Sequence, residues 1–373
     1  MTSLTFQPLE TWLELEALRC ELGDGARVQS RGVAERFLPD LERVLDGVKL
    51  PTFYAPRVQL ASLCDVQGSE GVRLQLLYQR TLAAKVPQKQ DVERILLTLL
   101  ARVGAPGGVA FWRSLLEHRA ARDSFSKERR RLVLSALGLD VLQRRDAAAF
   151  GALVEACDDS ADDVRMEAAD TLGVVARLRP ELAEPALSAV SKVADSDRVF
   201  EPRFVARCVL SSARCPVPED AVGTTYAIEL LTTDYSCVVE LRAEHSLDDL
   251  HLALQDALGW DNDHLYAFRL STEAKGDARF SYPPYGAAGV EVWAADEEGA
   301  AGEQDDEAAL PLCCLGQLGL RKGHALTYLF DFGDNHVFKL RVVGVGERGP
   351  RGAKLPRTRA KKGKRPEQYP QYD

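Results

Sequence analysis

The sequence predicts a multi-domain protein, an all-α helical solenoid followed by a small α+β domain made of a ββα start, further strands and a C-terminal hairpin. Three observations carry this. Leu, Ala and Val recur at three- and four-residue spacing through residues 1–213, the period of amphipathic helices. From Thr225 the pattern changes to short runs rich in Tyr, Ile, Val and Leu with partial alternation, as strands require. Charge divides the chain at similar places. Residues 1–220 carry 30 basic and 32 acidic side chains, residues 221–346 carry 8 and 21, and residues 347–373 carry 9 and 3.

The 373 residues are 46% hydrophobic and 28% charged, which excludes a wholly disordered or collagen-like chain and suffices for two or three cores. No window of 18 consecutive apolar residues occurs, so no membrane span is expected. Met1–Glu16 is acidic and lacks the regions of a secretory signal. Eight Cys without a CxxC suit free thiols in a reducing cytoplasm. Arg outnumbers Lys 35 to 12, which points to a GC-rich bacterial genome. The expected limits are 1–216 for the solenoid, 222–346 for the α+β domain and 347–373 for a basic disordered tail. Cys215-Pro216-Val217-Pro218 forms the first linker, because proline removes backbone donors and disfavours helix before it.

Within the helical part, residues 162–173 (DDVRMEAADTLG) are the clearest element. Asp162 or Asp163 is placed to cap a helix, and Val164, Ala168 and Leu172 form its buried stripe. Arg57, Arg94, Arg130, Arg165 and Arg203 mark successive units at spacings of 37, 36, 35 and 38. They are read as packing and helix-end residues, and Lys127-Glu128-Arg129-Arg130-Arg131 as a solvated face. This pattern resembles HEAT repeats over about residues 30–213, best over Asp158–Arg198. The resemblance implies stacked helix pairs that bind a protein partner.

In the α+β part, strands are expected at 225–231 and 236–243, turning at Thr232-Thr233-Asp234. Ser246 with Asp249 three residues on is an Asp variant of the capping box. Leu247, Leu250, Leu254 and Leu258 are the stripe of a helix that ends at Gly259 in a left-handed cap. A strand at 264–271 follows, then a hairpin from 325–332 and 336–344 around Gly333-Asp334-Asn335. Residues 246–270 (SLDDLHLALQDALGWDNDHLYAFRL) and 328–342 (YLFDFGDNHVFKLRV) resemble the plasmid pRiA4b ORF-3-like family. Gly259, Trp260, Asp261, His264, Leu265, Phe268 and Asp331-Phe332-Gly333-Asp334 carry the resemblance, and the closing GKRPEQYPQYD is similar to a Gln-Tyr-Pro ending of some members. The sequence departs from the family at Val238–Glu240, where members have Trp-Arg, and at His336 and Phe338.

The candidate family-motif site is Trp260, Asp261, His264, Asp331, Asp334 and His336, joined by Asp263 if the strands at 264 and 331 are neighbours. Carboxylates beside imidazoles can bind a divalent metal or move protons. Asp261, Asp263 and Asp334 equally suit turns, and Trp260 and Phe332 suit a core. Neither strict ligand spacing nor GxSxG occurs, so neither a catalytic residue nor a cofactor is assigned. Cys313-Cys314 read as buried thiols. Residues 287–309 form an acidic insertion, expected to be mobile. The tail offers Arg351, Lys354, Arg357, Arg359, Lys361, Lys362, Lys364 and Arg365 for phosphate contact, or for folding back onto the acidic domain. The leading expectation is a non-enzymatic scaffold with a protein partner on the solenoid. The alternatives are nucleic-acid association through the tail and a metal-dependent enzyme using the Asp/His group.

Overall fold

The computed structural model describes residues 71–86, 89–117, 125–274, 277–282, 314–346 and 354–369, together with Glu42, Leu45–Gly47 and Leu312. Arg57, Cys313, Arg351 and the acidic insertion at 287–309 lie outside the described residues. The chain divides into two compact units, Met1–Ala186 and Leu187–Asp373.

The first unit is helical: α1 (Gly71–Ala83), α2 (Lys89–Val103), α3 (Gly108–Glu117), α4 (Ser126–Arg144), α5 (Ala147–Ala156) and α6 (Asp162–Leu178). Helices α2, α4 and α6 pack successively in a row, with α3 and α5 against α4. Their shared core includes Leu96, Trp112, Leu134, Leu137, Leu153, Val164, Ala168 and Leu172, all fully buried. The expected stripe of α6 is therefore present. Its expected cap is not, because Ala161 occupies the N-cap position without a side-chain bond. Asp163 is instead drawn to the preceding helix, where its carboxylate accepts from Arg130 Nε at 2.8 Å.

The same contact recurs at one other of the spaced arginines. Arg94 in α2 donates to Glu128 at the start of α4, with Nη2 at 2.8 Å, as Arg130 in α4 donates to Asp163 at the start of α6. Arg165 turns back on its own helix start, donating to the carbonyl oxygens of Asp159 and Ser160 at 2.9 and 3.3 Å. A second series caps the opposite helix ends. Arg144 donates to the carbonyls of Ala101 and Arg102, and Arg179 to that of Val141 at 2.9 Å. These are last-turn carbonyls, which lack partners within their own helices. The 127–131 run is not a wholly solvated face. Lys127 and Arg131 are exposed, but Arg129 and Arg130 are buried, because Glu93 and Asp163 of neighbouring helices neutralise them.

The second unit holds α7 (Ala183–Ser196) from Leu187 onward and α8 (Phe200–Ser212), followed by β1 (Thr225–Leu231), β2 (Tyr235–Arg242), α9 (Leu247–Leu258), β3 (Tyr266–Arg269), β4 (Ser281–Tyr282), α10 (Leu315–Leu318), β5 (Ala325–Phe330), β6 (His336–Val345) and β7 (Arg357–Gly363). The strands form one antiparallel sheet in the order β4-β3-β5-β6-β1-β2-β7. Ser246 and Asp249 complete the expected capping box, and Gly259 takes the left-handed conformation at φ 71°. The β5–β6 hairpin turns at 331–335, with Asp331 and Asn335 at positive φ.

Two findings differ from the sequence expectation. The division into units falls ahead of the Cys215–Pro218 linker, so α8 belongs with the sheet. Arg203 and Arg207 of α8 donate to the carbonyls of Gly319, Gly316 and Gln317 in the same unit. The basic segment is also not disordered where it is described. β7 pairs antiparallel with β2, and Arg357 and Arg359 both bond the buried carboxylate of Glu240.

Candidate functional site

The motif residues meet where α9 ends, because the left-handed Gly259 turns the chain so that Trp260 lies against the sheet. Its indole packs on His336, Phe338 and Phe330 at centroid distances of 4.7, 5.4 and 5.8 Å. Trp260 is 8% exposed, as a core aromatic should be, but Phe332 is 42% exposed and lies on the hairpin turn instead.

What closes over this surface is the chain's own segment 366–369. Trp260 Nε1–H donates to the Pro366 carbonyl at 2.9 Å. Gln368 exchanges two bonds with the Asp261 backbone, accepting its N–H at 2.7 Å and donating to its carbonyl at 2.9 Å. The Gln368 amide also donates to Asp263 Oδ1 at 2.8 Å. The Tyr369 hydroxyl donates to the other oxygen of Asp263 and so holds that carboxyl below its usual range. His336 Nε2–H donates to the Gln368 carbonyl at 3.1 Å.

The acids and imidazoles do approach one another. His264 Nε2 lies 3.6 Å from Asp331 Oδ2 and 3.8 Å from Asp263 Oδ1. Asp331 also serves the shape of the hairpin. Asp331 Oδ1 accepts the N–H groups of Gly333 and Asp334 at 2.8 and 3.3 Å and so fixes the hairpin turn, while Asp334 itself is exposed. Among the described residues no three His, Cys, Asp or Glu side chains are grouped to hold a metal ion. The half-buried Cys314 is less enclosed than expected, because it precedes the first turn of α10. The arrangement holds the chain's own segment 366–369 through two backbone carbonyls, the Gln368 amide and the Tyr369 hydroxyl.

The basic candidates divide into two groups. Arg357 and Arg359 neutralise Glu240, at 2.6 and 3.2 Å. Lys354, Lys361, Lys362, Lys364 and Arg365 are exposed.

A buried polar network in the same unit was not singled out from the sequence. His251 is 2% and Gln255 3% exposed. Gln255 Nε2–H donates to the Tyr328 hydroxyl at 2.6 Å, which leaves the hydroxyl proton for His251 Nδ1 at 2.8 Å. His251 Nε2–H then faces Asn262 Oδ1 at 2.6 Å, and its ring stacks on Tyr266 at 3.6 Å. The assignment uses a neutral imidazole. The available signal was two polar residues, four apart, beside the Leu stripe of α9.

Burial lowers the pKa of His251 from its ordinary 6.5, against opposing effects of Asn262 and Asp248. Burial likewise lowers His324, whose Nε2–H bonds the Leu270 carbonyl. Both groups bind protons more readily in the unfolded chain. Their stabilisation is therefore complete above pH 6.5 and falls as pH drops from there toward the folded values. Urea unfolding of the full-length protein at pH 7.5 and at pH 5.5 is expected to show lower stability at the acid end. A stability that rises on acidification through this window contradicts the neutral assignment.

Residues 224–368 match the model of the family described as plasmid pRiA4b ORF-3-like protein. A curated relative, the uncharacterized protein y4hQ of Sinorhizobium fredii, is 32% identical over 108 residues, which cover 28% of this chain and 45% of that protein. The chain thus spans less than half the length of that relative. A solved structure, titled protein of unknown function MM3350 from Methanosarcina mazei Go1, is 21% identical and covers 37% of this chain and 68% of that one, with a TM-score of 0.26. The matched region runs past the hairpin and through β7 to Gln368, so the sheet with its closing segment is the part of this chain that is similar to the pRiA4b ORF-3-like family.

Proposed function

We propose that the protein is a non-enzymatic interaction scaffold, in which the helical unit, read as a HEAT-like solenoid, holds a protein partner. One observation carries this reading. Two apolar pairs at helical i, i+4 spacing are exposed on the unit. Val72 and Leu76 on α1 are 61% and 57% exposed, and Val174 and Leu178 on α6 are 38% and 56% exposed. Adjacent exposed apolar side chains suit a protein contact. Segment 366–369 supports the same reading in part, because it engages Trp260, Asp263 and His336, while Asp261, His264 and Asp334 stay exposed. In this reading the pRiA4b-like unit acts as a folded support.

The test is affinity capture from a bacterial lysate at about 0.5 M salt, where exposed charge contacts are screened. Full-length protein is compared with V72D/L76D and V174D/L178D. The expected result is a protein retained by the parent and lost from at least one variant. Equal retention by all three, or nothing enriched by the parent, removes the reading. A second reading, nucleic-acid association, is favoured by the exposed Lys361, Lys362, Lys364 and Arg365 on and after β7. It requires affinity that falls steeply with salt and is lost on replacing those four residues by Ala.

A further inference from the structure

The second unit contains a cavity of about 310 Å³ bordered by α7, α8, the segment before β1 and the loop after α10. That size falls at the small end of ligand sites. Four cations line it, Arg203, Arg207, Arg321 and Lys322. Arg203 and Arg207 are 2% and 6% exposed, and buried charges are ordinarily paired. Here both guanidinium groups bond backbone carbonyls. Arg203 donates to Gly319, Asp197 and Val199, and Arg207 to Ala194, Gly316 and Gln317. Arg207 Nη2 has no acceptor among the described residues. Gly319, at φ 74°, permits the close approach, since a Cβ there would stand 2.9 Å from Arg203 Nε.

Burial, followed by repulsion from Arg321 and Arg207, pushes Arg203 down to about 10. Asp197 and Glu201 oppose this repulsion at Arg203, and Asp220 and Asp195 favour the charge of Arg207, which leaves four cations against three carboxylates along the cavity. The acids that line the cavity are partly committed. Asp220 accepts the Tyr226 hydroxyl, and Glu219 receives the Gln317 amide at 3.4 Å. With Asp195 they disfavour a polyanion and offer acceptors for ligand hydroxyls.

We propose that this cavity binds a single phosphate group, free or carried on a small hydroxylated monoester, between Arg207 and the mouth residues Arg321 and Lys322. Arg203 is the positioning residue that fixes the loop at Gly319. The site is independent of the partner surface on the helical unit.

Calorimetric titration of the full-length protein at low ionic strength, with inorganic phosphate and separately with glycerol phosphate, tests it. Saturable binding is expected, weakened at least about tenfold both in R321A/K322A and in R207K, which keeps charge but loses the guanidinium fork. If R207K does not fold, the double variant decides alone, because both mouth residues are exposed. Tighter binding of the ester assigns the ligand to a phosphorylated metabolite, and binding of phosphate at least as tight assigns it to the free ion. The proposal is overturned by no saturable response up to about 10 mM of either ligand, a range that covers weak metabolite affinities. It is also overturned by an equal response to sodium chloride at matched ionic strength, or by undiminished binding in the variants that fold.

Discussion

Replacing Glu93 by Ala is expected to destabilise the helical unit by about 3–5 kcal/mol, the cost of removing one partner from a buried ion pair. Glu93 and Arg129 are 1% and 2% exposed, and their side chains bond each other directly. The Tyr78 hydroxyl completes the group, donating to Glu93 Oε1 at 2.9 Å. The phenol's pKa is raised by burial and by the neighbouring carboxylate, so it remains a donor at neutral pH. Glu93→Ala leaves a guanidinium in the core with its charge uncompensated. The double change Glu93→Leu with Arg129→Met removes both charges at similar volume, and is expected to recover most of the loss. Urea unfolding followed by far-ultraviolet dichroism measures both, because the helices dominate that signal. A single change that costs less than about 1 kcal/mol contradicts the account of the pair.

Cutting the chain after Gly346 is expected to have the second large effect. Glu240, 7% exposed, loses Arg357 and Arg359. Trp260 Nε1 and His336 lose their carbonyl acceptors, and β2 loses the backbone partners along one edge. Each buried polar group left unpaired costs about 1–3 kcal/mol, so the sum is on the order of 5 kcal/mol or more. That matches the whole stability of many domains. The shortened protein is therefore expected to lose the sheet unit's cooperative transition and to associate through the open edge of β2. Adding a peptide of residues 347–373 should restore the transition. A shortened protein that unfolds within about 1 kcal/mol of the full chain shows that the segment is not part of the fold.

The residues behind these effects differ in how legible they are in the sequence. The capping box at Ser246 and Asp249, the left-handed Gly259 and the β5–β6 hairpin are local devices whose partners lie within a few positions. They are readable from order alone. β7 is not, because RTRAKKG has no apolar alternation and becomes a strand only through pairing with β2. The one available sign was Glu240, an acid in the apolar run CVVEL, which requires a cation from elsewhere. Arg129 misleads for the same reason. Its charge-rich neighbours suggest solvent, while its partner lies 36 positions away. Of the motif residues, Trp260 packs on His336 and His264 lies near Asp331. Their engagement by Pro366, Gln368 and Tyr369 depends on contacts spanning about a hundred positions, which no local pattern encodes.

The separation between β2 and β7 has a consequence for synthesis on the ribosome. Glu240 and Arg357 lie 117 positions apart. At roughly 5–20 residues per second, β2 leaves the ribosome about 6 to 23 s before β7 follows. Contacts between segments so distant in the chain form late, since closing the intervening loop costs entropy before any pairing compensates it. For that interval the nascent polypeptide displays an unpaired strand edge carrying a carboxylate that awaits its cations. Chaperone engagement and polysome clumping are therefore expected to concentrate on ribosomes that have released β2 but not yet β7, and slow codons between the two strands lengthen the exposure.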